Sequence, residues 1–348
     1  MRVLVTGSAG FIGAEISRQL DEGGHEVVGV DAMIAQAHVP GSTSPPGTTR
    51  LDVRDGVAMA GLLDGVDVVC HQAAMVGTGV DAQDLPAYAA HNDYATAVLL
   101  AAMARTGVAR LVLASSMVVY GDGAFSCSTH GGVPASVRRT ADLENGEFDP
   151  RCPLCEQFLR WTMVDEDAPL RPQTGYAASK VAQEHYAAAW CTLQEGRCIA
   201  LRYHNAYGPH MPADTPYSGV AAVFRSALER GQAPRVYEDG NQVRDFVHVR
   251  DVAAANVEAV ERVGAHAVGV TAYNVASGHP FTVGKMAAAV AAAFGGPDPV
   301  ITGAFRAADV RHVLADPARA RVGLGFRASI PPEQGLAEFA TAPLRATR

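Results

Sequence analysis

The chain has 348 residues, 48% hydrophobic and 18% charged, with a formal net charge of −8 from 28 basic and 36 acidic residues. That length exceeds one ordinary compact domain and predicts two lobes, or one lobe with an insert, while the acidic balance argues against nonspecific nucleic-acid binding. No apolar run is long enough to span a bilayer, no charged leader precedes the apolar stretch at 3–5, and six cysteines without a secretory signal read as cytosolic thiols or metal ligands, so a cytoplasmic protein is expected.

In chain order, short apolar runs at 3–5, 26–30, 66–71 and 110–114 read as buried parallel strands. Helical periodicity fills 11–20 and 85–105 between them. This alternation predicts an α/β fold with a doubly wound parallel sheet of the Rossmann type and right-handed crossovers. Residues 32–50 carry Pro40, Gly41, Pro45, Pro46 and Gly47, and read as a loop. The rhythm stops over 122–174, which reads as an insert leaving the carboxyl edge of the sheet. It returns with a helix at 175–193 and a strand at 197–202, and helices at 220–230 and 283–294 follow. The division expected is a dinucleotide-binding domain from 1–121, 166–203 and roughly 243–277, an insert at 122–165, and a substrate lobe from 204–242 and 278–348.

Gly7, Gly10 and Gly13 stand between the first strand and first helix, with Phe11 and Ile12 opening that helix. Missing side chains there permit a tight turn, close approach of backbone to a pyrophosphate, and close helix packing. The helix start adds free amide groups and a positive dipole end. Asp31 closes the second strand, where a carboxylate accepts bonds from ribose hydroxyls and repels a 2′-phosphate, favouring NAD over NADP. Asp52 and Val53 follow the third strand, within reach of an adenine amino group, and Ala73 and Ala74 end the fourth with little bulk. Turn or packing roles explain these last four residues equally well.

Tyr176 and Lys180 lie four residues apart, so one helix face carries both. A phenol titrates near ~10, too high for a base at neutral pH, and a neighbouring ammonium favours the phenolate. Ser116 ends the fifth strand, where ligands bind in open α/β sheets, and can relay a proton to Tyr176.

With these residues assembled, the chain resembles the extended short-chain dehydrogenase/reductase family, specifically its nucleotide-sugar epimerases, over nearly its whole length apart from 122–165. The resemblance implies Ser116, Tyr176 and Lys180 as the catalytic set and Asn92 as a structural anchor near the cofactor. It implies Asn205, within Arg202-Tyr203-His204-Asn205-Ala206-Tyr207-Gly208-Pro209, on a sugar-nucleotide diphosphate, with Arg244 and Arg306 as its phosphate clamp. Met117, Val220 and Tyr237 complete the implied substrate set. Dehydratases of this family carry an Asp-Glu pair where this chain has Met117 and Val118, which take no protons, so dehydration is not expected. The expected activity is NAD-dependent inversion of a sugar C4 in a nucleotide-diphosphate sugar, on a dTDP-deoxyhexose or UDP-hexose. A 4-ketoreductase, a uronate decarboxylase or a nucleotide-sensing regulator remain alternatives. A homodimer through 85–105 and 175–193, with no membrane partner, is also implied.

Cys127-x-x-His130 and Cys152-x-x-Cys155 form two paired hooks with spacing suited to tetrahedral zinc, although Glu156 replaces the glycine expected after the second. Free cytosolic thiols in an irregular loop are the alternative. The insert, together with Met117-Val118-Val119-Tyr120 and Asp214-Thr215-Pro216-Tyr217, is most similar to bacterial proteins of the dTDP-L-rhamnose 4-epimerase type.

Overall fold

The computed structural model describes all residues except 36, 40, 78–80, 214–218, 308 and 347–348, so Asp214 to Tyr217 lie outside the described residues. Seven strands build the central sheet: β1 Arg2–Thr6, β2 Glu26–Asp31, β3 Thr48–Arg50, β4 Val68–His71, β5 Arg110–Ser116, β6 Arg197–Tyr203 and β7 Gly269–Val275. They lie in the order β7-β6-β5-β4-β1-β2-β3, and every pairing is parallel. The strand order reverses between β1 and β4, which opens a crevice at their carboxyl ends.

Apolar strands buried on both faces need cover on both. On one side Val3, Val5, Val112, Ile199 and Leu201 pack against Ile16 and Leu20 of helix α1 (Phe11–Glu22) and Val252, Ala255 and Ala259 of the helix Val249–Arg262. On the other, Leu4, Val69, Leu111 and Leu113 meet Leu99 and Met103 of the helix Ala95–Thr106 and Ala187 and Trp190 of the helix Gly175–Gln194. A fully buried Leu or Ile contributes roughly 1.5–3 kcal/mol, so these two layers hold the strand ends, and hence the crevice, in place. A separate cluster, with Phe224, Phe246, Met286, Leu336 and Phe339, forms the core of the C-terminal part.

Two expectations need correction. Residues 32–50 are not all loop, because the chain straightens after Gly47 and Thr48–Arg50 pairs with Gly29, Val30 and Asp31; β-branched threonines suit that edge. The helix expected over 85–105 is interrupted: Leu85–Tyr88 and Ala95–Thr106 are α-helical, but Ala89–Tyr94 is a π-helical turn. The extra residue in that turn carries Asn92 inward, as such bulges commonly do at functional sites. The helices Gly56–Leu62 and Val249–Arg262 were not anticipated; Asp55 and His248 cap them by accepting backbone amides. Among the described residues no helix is long and apolar enough to cross a membrane.

Candidate active site

The glycine turn is folded against the crevice. Gly7 has φ +70° and its amide donates to the Val30 carbonyl at 2.7 Å. A Cβ on Gly7 would lie 2.8 Å from the Ala73 amide nitrogen, and one on Gly13 only 2.0 Å from the Gly7 carbonyl oxygen. Side chains are therefore excluded where the turn meets β4 and where α1 crosses it. Gly10 caps α1 with no side chain bonded to the helix start, so the first amides, including those of Phe11 and Ile12, have no intrahelical partner. That is the arrangement an anionic pyrophosphate needs.

Asp31 stands at the end of β2, buried, accepting from the Met33 amide at 2.8 Å and the Ala9 amide at 3.2 Å. Burial pushes its carboxyl up, but His38 and those two amides outweigh this and hold it below the usual range, so it is anionic. Asp52 is engaged by Arg54 through bonds of 2.6–3.1 Å, and the Val53 side chain is core. Ala73 lies directly against the glycine turn, with its amide on Thr6 Oγ1 at 3.1 Å, and Ala74 follows half-buried. Thr6 Oγ1 already accepts the Gln72 and Ala73 amides, so it donates to His71 Nδ1 (2.7 Å), leaving Nε2 to donate to Thr96 (3.0 Å). Burial first, then the Lys180 cation, pulls His71 down to about 3, and it is a neutral structural link.

Ser116 ends β5 and Tyr176 sits in the first turn of the helix Gly175–Gln194, which Thr174 caps. Ser116 Oγ accepts the Val118 amide at 3.3 Å, and its hydroxyl acts on the Tyr176 phenol against the effect of burial. Lys180 is buried, its Nζ 5.9 Å from the Tyr176 ring centroid and donating to the Ala114 carbonyl at 2.9 Å. The expected lowering of the phenol does not appear in the protein alone. Burial drives Tyr176 well above its ordinary value, with Ser116 opposing, and the same burial draws Lys180 down to about 8. Desolvation of two neighbours on one helix face is a tertiary effect that the four-residue spacing does not reveal. Asn92 is fully buried, bonded to both polar groups of the Met75 backbone (2.7 and 2.9 Å) and to Ser179 (2.8 Å). It ties the loop after β4 to the helix Gly175–Gln194.

The substrate candidates cluster less uniformly. Asn205 lies on a short strand, Asn205–Tyr207, paired with Val243–His248, and its Oδ1 is buried with no partner among the described residues. Arg244, on that second strand, donates to the carbonyls of Val310 (2.5 Å) and Arg311 (2.9 Å). Burial lowers its guanidinium to about 10, with Asp309 and Glu238 opposing. Arg306 is exposed and stacks on Tyr237, 5.3 Å from the ring centroid. Val220 opens the helix Val220–Glu229 against the C-terminal core, and Met117 opens the turn after Ser116. The four insert residues do converge: their ligand atoms all lie within 4.8 Å of one another.

Several residues that sequence reasoning passed over support this site. Glu184, one turn beyond Lys180, accepts from Arg202 and from Ser115. Arg345, near the chain end, donates to the Ala9 carbonyl at 2.6 Å, beside the glycine turn. Neither partnership leaves a local pattern, since the residues are far apart in sequence.

The profile of the "NAD dependent epimerase/dehydratase family" matches residues 3–151 and 161–276. A dTDP-L-rhamnose 4-epimerase of Burkholderia thailandensis is 34% identical, over 98% of this chain and 94% of its own length. A UDP-glucose 4-epimerase of Mycolicibacterium smegmatis is 30% identical, over 97% of each. The crystal structure of Thermus thermophilus UDP-glucose 4-epimerase, a complex with NAD, superposes with a TM-score of 0.75 at 28% identity, covering 98% of each chain.

Proposed function

The chain belongs to the NAD dependent epimerase/dehydratase family, and from that membership we propose that it is an NAD-dependent epimerase of nucleotide-diphosphate sugars that inverts C4. The observation that carries this reading is Tyr176 with Lys180 beside it, Lys180 Nζ being bonded to the Ala114 carbonyl near the end of β5 where Ser116 stands, with the glycine turn across the crevice. Gly7, Gly10, Phe11, Ile12 and Gly13 would hold the NAD pyrophosphate and Asp31 its ribose. The chemistry NAD supplies when bound is a reversible hydride sink for the sugar C4 and a positive charge near the phenol. That charge favours the phenolate, against the burial that otherwise keeps Tyr176 protonated.

Tyr176 takes the proton of the C4 hydroxyl, directly or through Ser116, as that carbon becomes a planar ketone. It returns the proton when C4 is reduced from the opposite face, so no net redox change occurs. Asn205, Arg244 and Arg306 grip the diphosphate while the sugar turns, with Met117, Val220 and Tyr237 lining the remainder. The apolar Met117 and Val118 supply no second acid for dehydration. A dTDP-deoxyhexose or a UDP-hexose is the substrate class, in keeping with the names of the two relatives.

The proposed division of labour keeps NAD on 1–121, 166–203 and 243–277, and the sugar nucleotide on 204–242 and 278–348. The insert's Cys127, His130, Cys152 and Cys155 are proposed as ligands of a structural zinc ion. Leu85, Tyr94, Tyr186 and Leu193 expose apolar surface on the two helical segments proposed for a homodimer. A cytoplasmic setting agrees with six cysteines of which none forms a disulfide. Incubation of the purified protein with dTDP-L-rhamnose and with UDP-sugars, no cofactor added, tests the reading by NMR at C4. Inversion of one of them is expected, and lost in Tyr176→Phe; no inversion of any sugar nucleotide would overturn it.

A further inference from the structure

We propose that the insert's Cys127, His130, Cys152 and Cys155 are a zinc-held clasp that keeps the phosphate-gripping segments of the C-terminal part in place, so that nucleotide-sugar affinity depends on the metal. This rests on the reading of Arg244 and Arg306 as the diphosphate grip.

The cluster has the dimensions of a tetrahedral site. Zinc–sulfur bonds of about 2.3 Å and zinc–nitrogen bonds of about 2.0–2.1 Å put ligand atoms roughly 3.5–3.8 Å apart. Cys127 Sγ lies 3.6 Å from Cys155 Sγ and 3.6 Å from His130 Nδ1, and Cys152 Sγ lies 3.5 Å from that same nitrogen. The sulfur pair is far beyond the ~2.05 Å of a disulfide. Three sulfurs and one imidazole nitrogen are a zinc donor set. Both hooks are shaped for it. The strand Ala124–Cys127 turns back to pair with Gly131–Gly132, and the Thr129 amide donates to Cys127 Sγ at 3.4 Å. After the second hook Glu156 takes φ +59°, the conformation for which a glycine was expected, and its amide donates to the Cys152 carbonyl at 3.0 Å.

Around the hooks themselves the core is small, though Leu143, Phe148 and Val164 of the insert are buried elsewhere. Its buried apolar cluster is Phe125, Cys127, Cys152 and Leu159, and two of those four are ligands. A unit this small ordinarily requires a metal or disulfides.

Between His130 and Cys152 the chain carries Arg138 and Asp149, and these reach the substrate side. Arg138 donates to Glu238 Oε1 at 2.6 Å, and also to the carbonyls of Arg306 and Asp309. Asp149 accepts from Arg311 Nε at 2.8 Å and pairs with His312 Nε2 at 3.1 Å. Arg311 in turn donates to Glu238 Oε2 at 2.7 Å, so the buried Glu238 carboxylate is shared between the insert and the 306–312 segment. That segment bears Arg306, and its carbonyls anchor Arg244. Glu238 adjoins Tyr237, on which Arg306 stacks. The metal therefore closes the loop whose two charged residues fasten both arginines, a preorganisation of the grip.

The test uses full-length protein, with zinc counted by plasma mass spectrometry and UDP and dTDP binding followed by calorimetry. Wild type should hold one zinc per chain, and the Cys152→Ser/Cys155→Ser variant none. That variant should bind the preferred nucleotide about tenfold more weakly or worse (about 1.4 kcal/mol) with its NAD affinity unchanged. Arg138→Ala keeps all four ligands; it should retain zinc yet lose affinity similarly, which covers the case where the double variant does not fold. Protein without zinc, even after reconstitution, overturns the metal centre. Stoichiometric zinc with unchanged affinity in Arg138→Ala overturns the coupling. Wild type that binds neither nucleotide overturns the nucleotide-sugar reading and the coupling with it, while the zinc count still decides the centre.

Discussion

Arg202 clasps Glu184 with two arms, Nε on Oε1 at 3.0 Å and a terminal nitrogen on Oε2 at 2.8 Å, and both side chains are buried. The pair locks β6 to the helix Gly175–Gln194 one turn beyond Lys180, and Glu184 also accepts from Ser115 at 2.5 Å. Breaking such a pair from one side leaves an uncompensated buried charge, which costs about 3–5 kcal/mol. Glu184→Gln should therefore lose about that much stability in urea unfolding. A loss below ~1 kcal/mol would mean that the pair does not hold the helix.

Asp31 accepts two amides now and has acceptor capacity left for ribose hydroxyls. Hydrogen bonds to a charged group contribute about 1.5–3 kcal/mol, so Asp31→Ser should weaken NAD binding roughly 10- to 100-fold. It should also admit NADP, because the repulsion of a 2′-phosphate is gone. Fluorescence titration of cofactor-depleted protein measures both constants. Unchanged NAD affinity with NADP still excluded would remove Asp31 from the ribose.

The Asp149 carboxyl is held down at about 2, from an ordinary 3.8, by its bond to His312 and then by Arg311, against its burial. A folded value below the unfolded one means stabilisation present above about pH 4 and lost as pH falls towards 2. Wild type should then melt above Asp149→Asn at neutral pH, with the gap closing between pH 4 and 2. A gap that stays constant down to pH 2 would contradict this assignment.

What could be read without coordinates was local. The glycine turn, Asp31 at a strand end, and the four-residue step from Tyr176 to Lys180 are patterns within a few residues, and the sheet arranges them around one crevice. The four zinc candidates were legible for the same reason, as two three-residue hooks. Arg138, Glu238 and Arg311 were not, because their ion pairs join segments far apart in the chain and leave no period. Neither was the sign of the Tyr176 shift, since burial is decided by what packs over the helix. The π-helical turn around Asn92 escaped too: its apolar spacing is helical, and only the extra residue separates it from an α-helix.

On the proposed mechanism C4 is oxidised and reduced by one hydride that never leaves the protein. NMR and mass spectrometry of a nucleotide sugar bearing deuterium at C3, C4 and C5, turned over in ordinary water, follow that hydride. Both C4 epimers should form with deuterium retained at that carbon and none exchanged at C3 or C5. Deuterium washed from C4 into water, or a C4 that keeps its configuration while C3 or C5 exchanges, would contradict that mechanism.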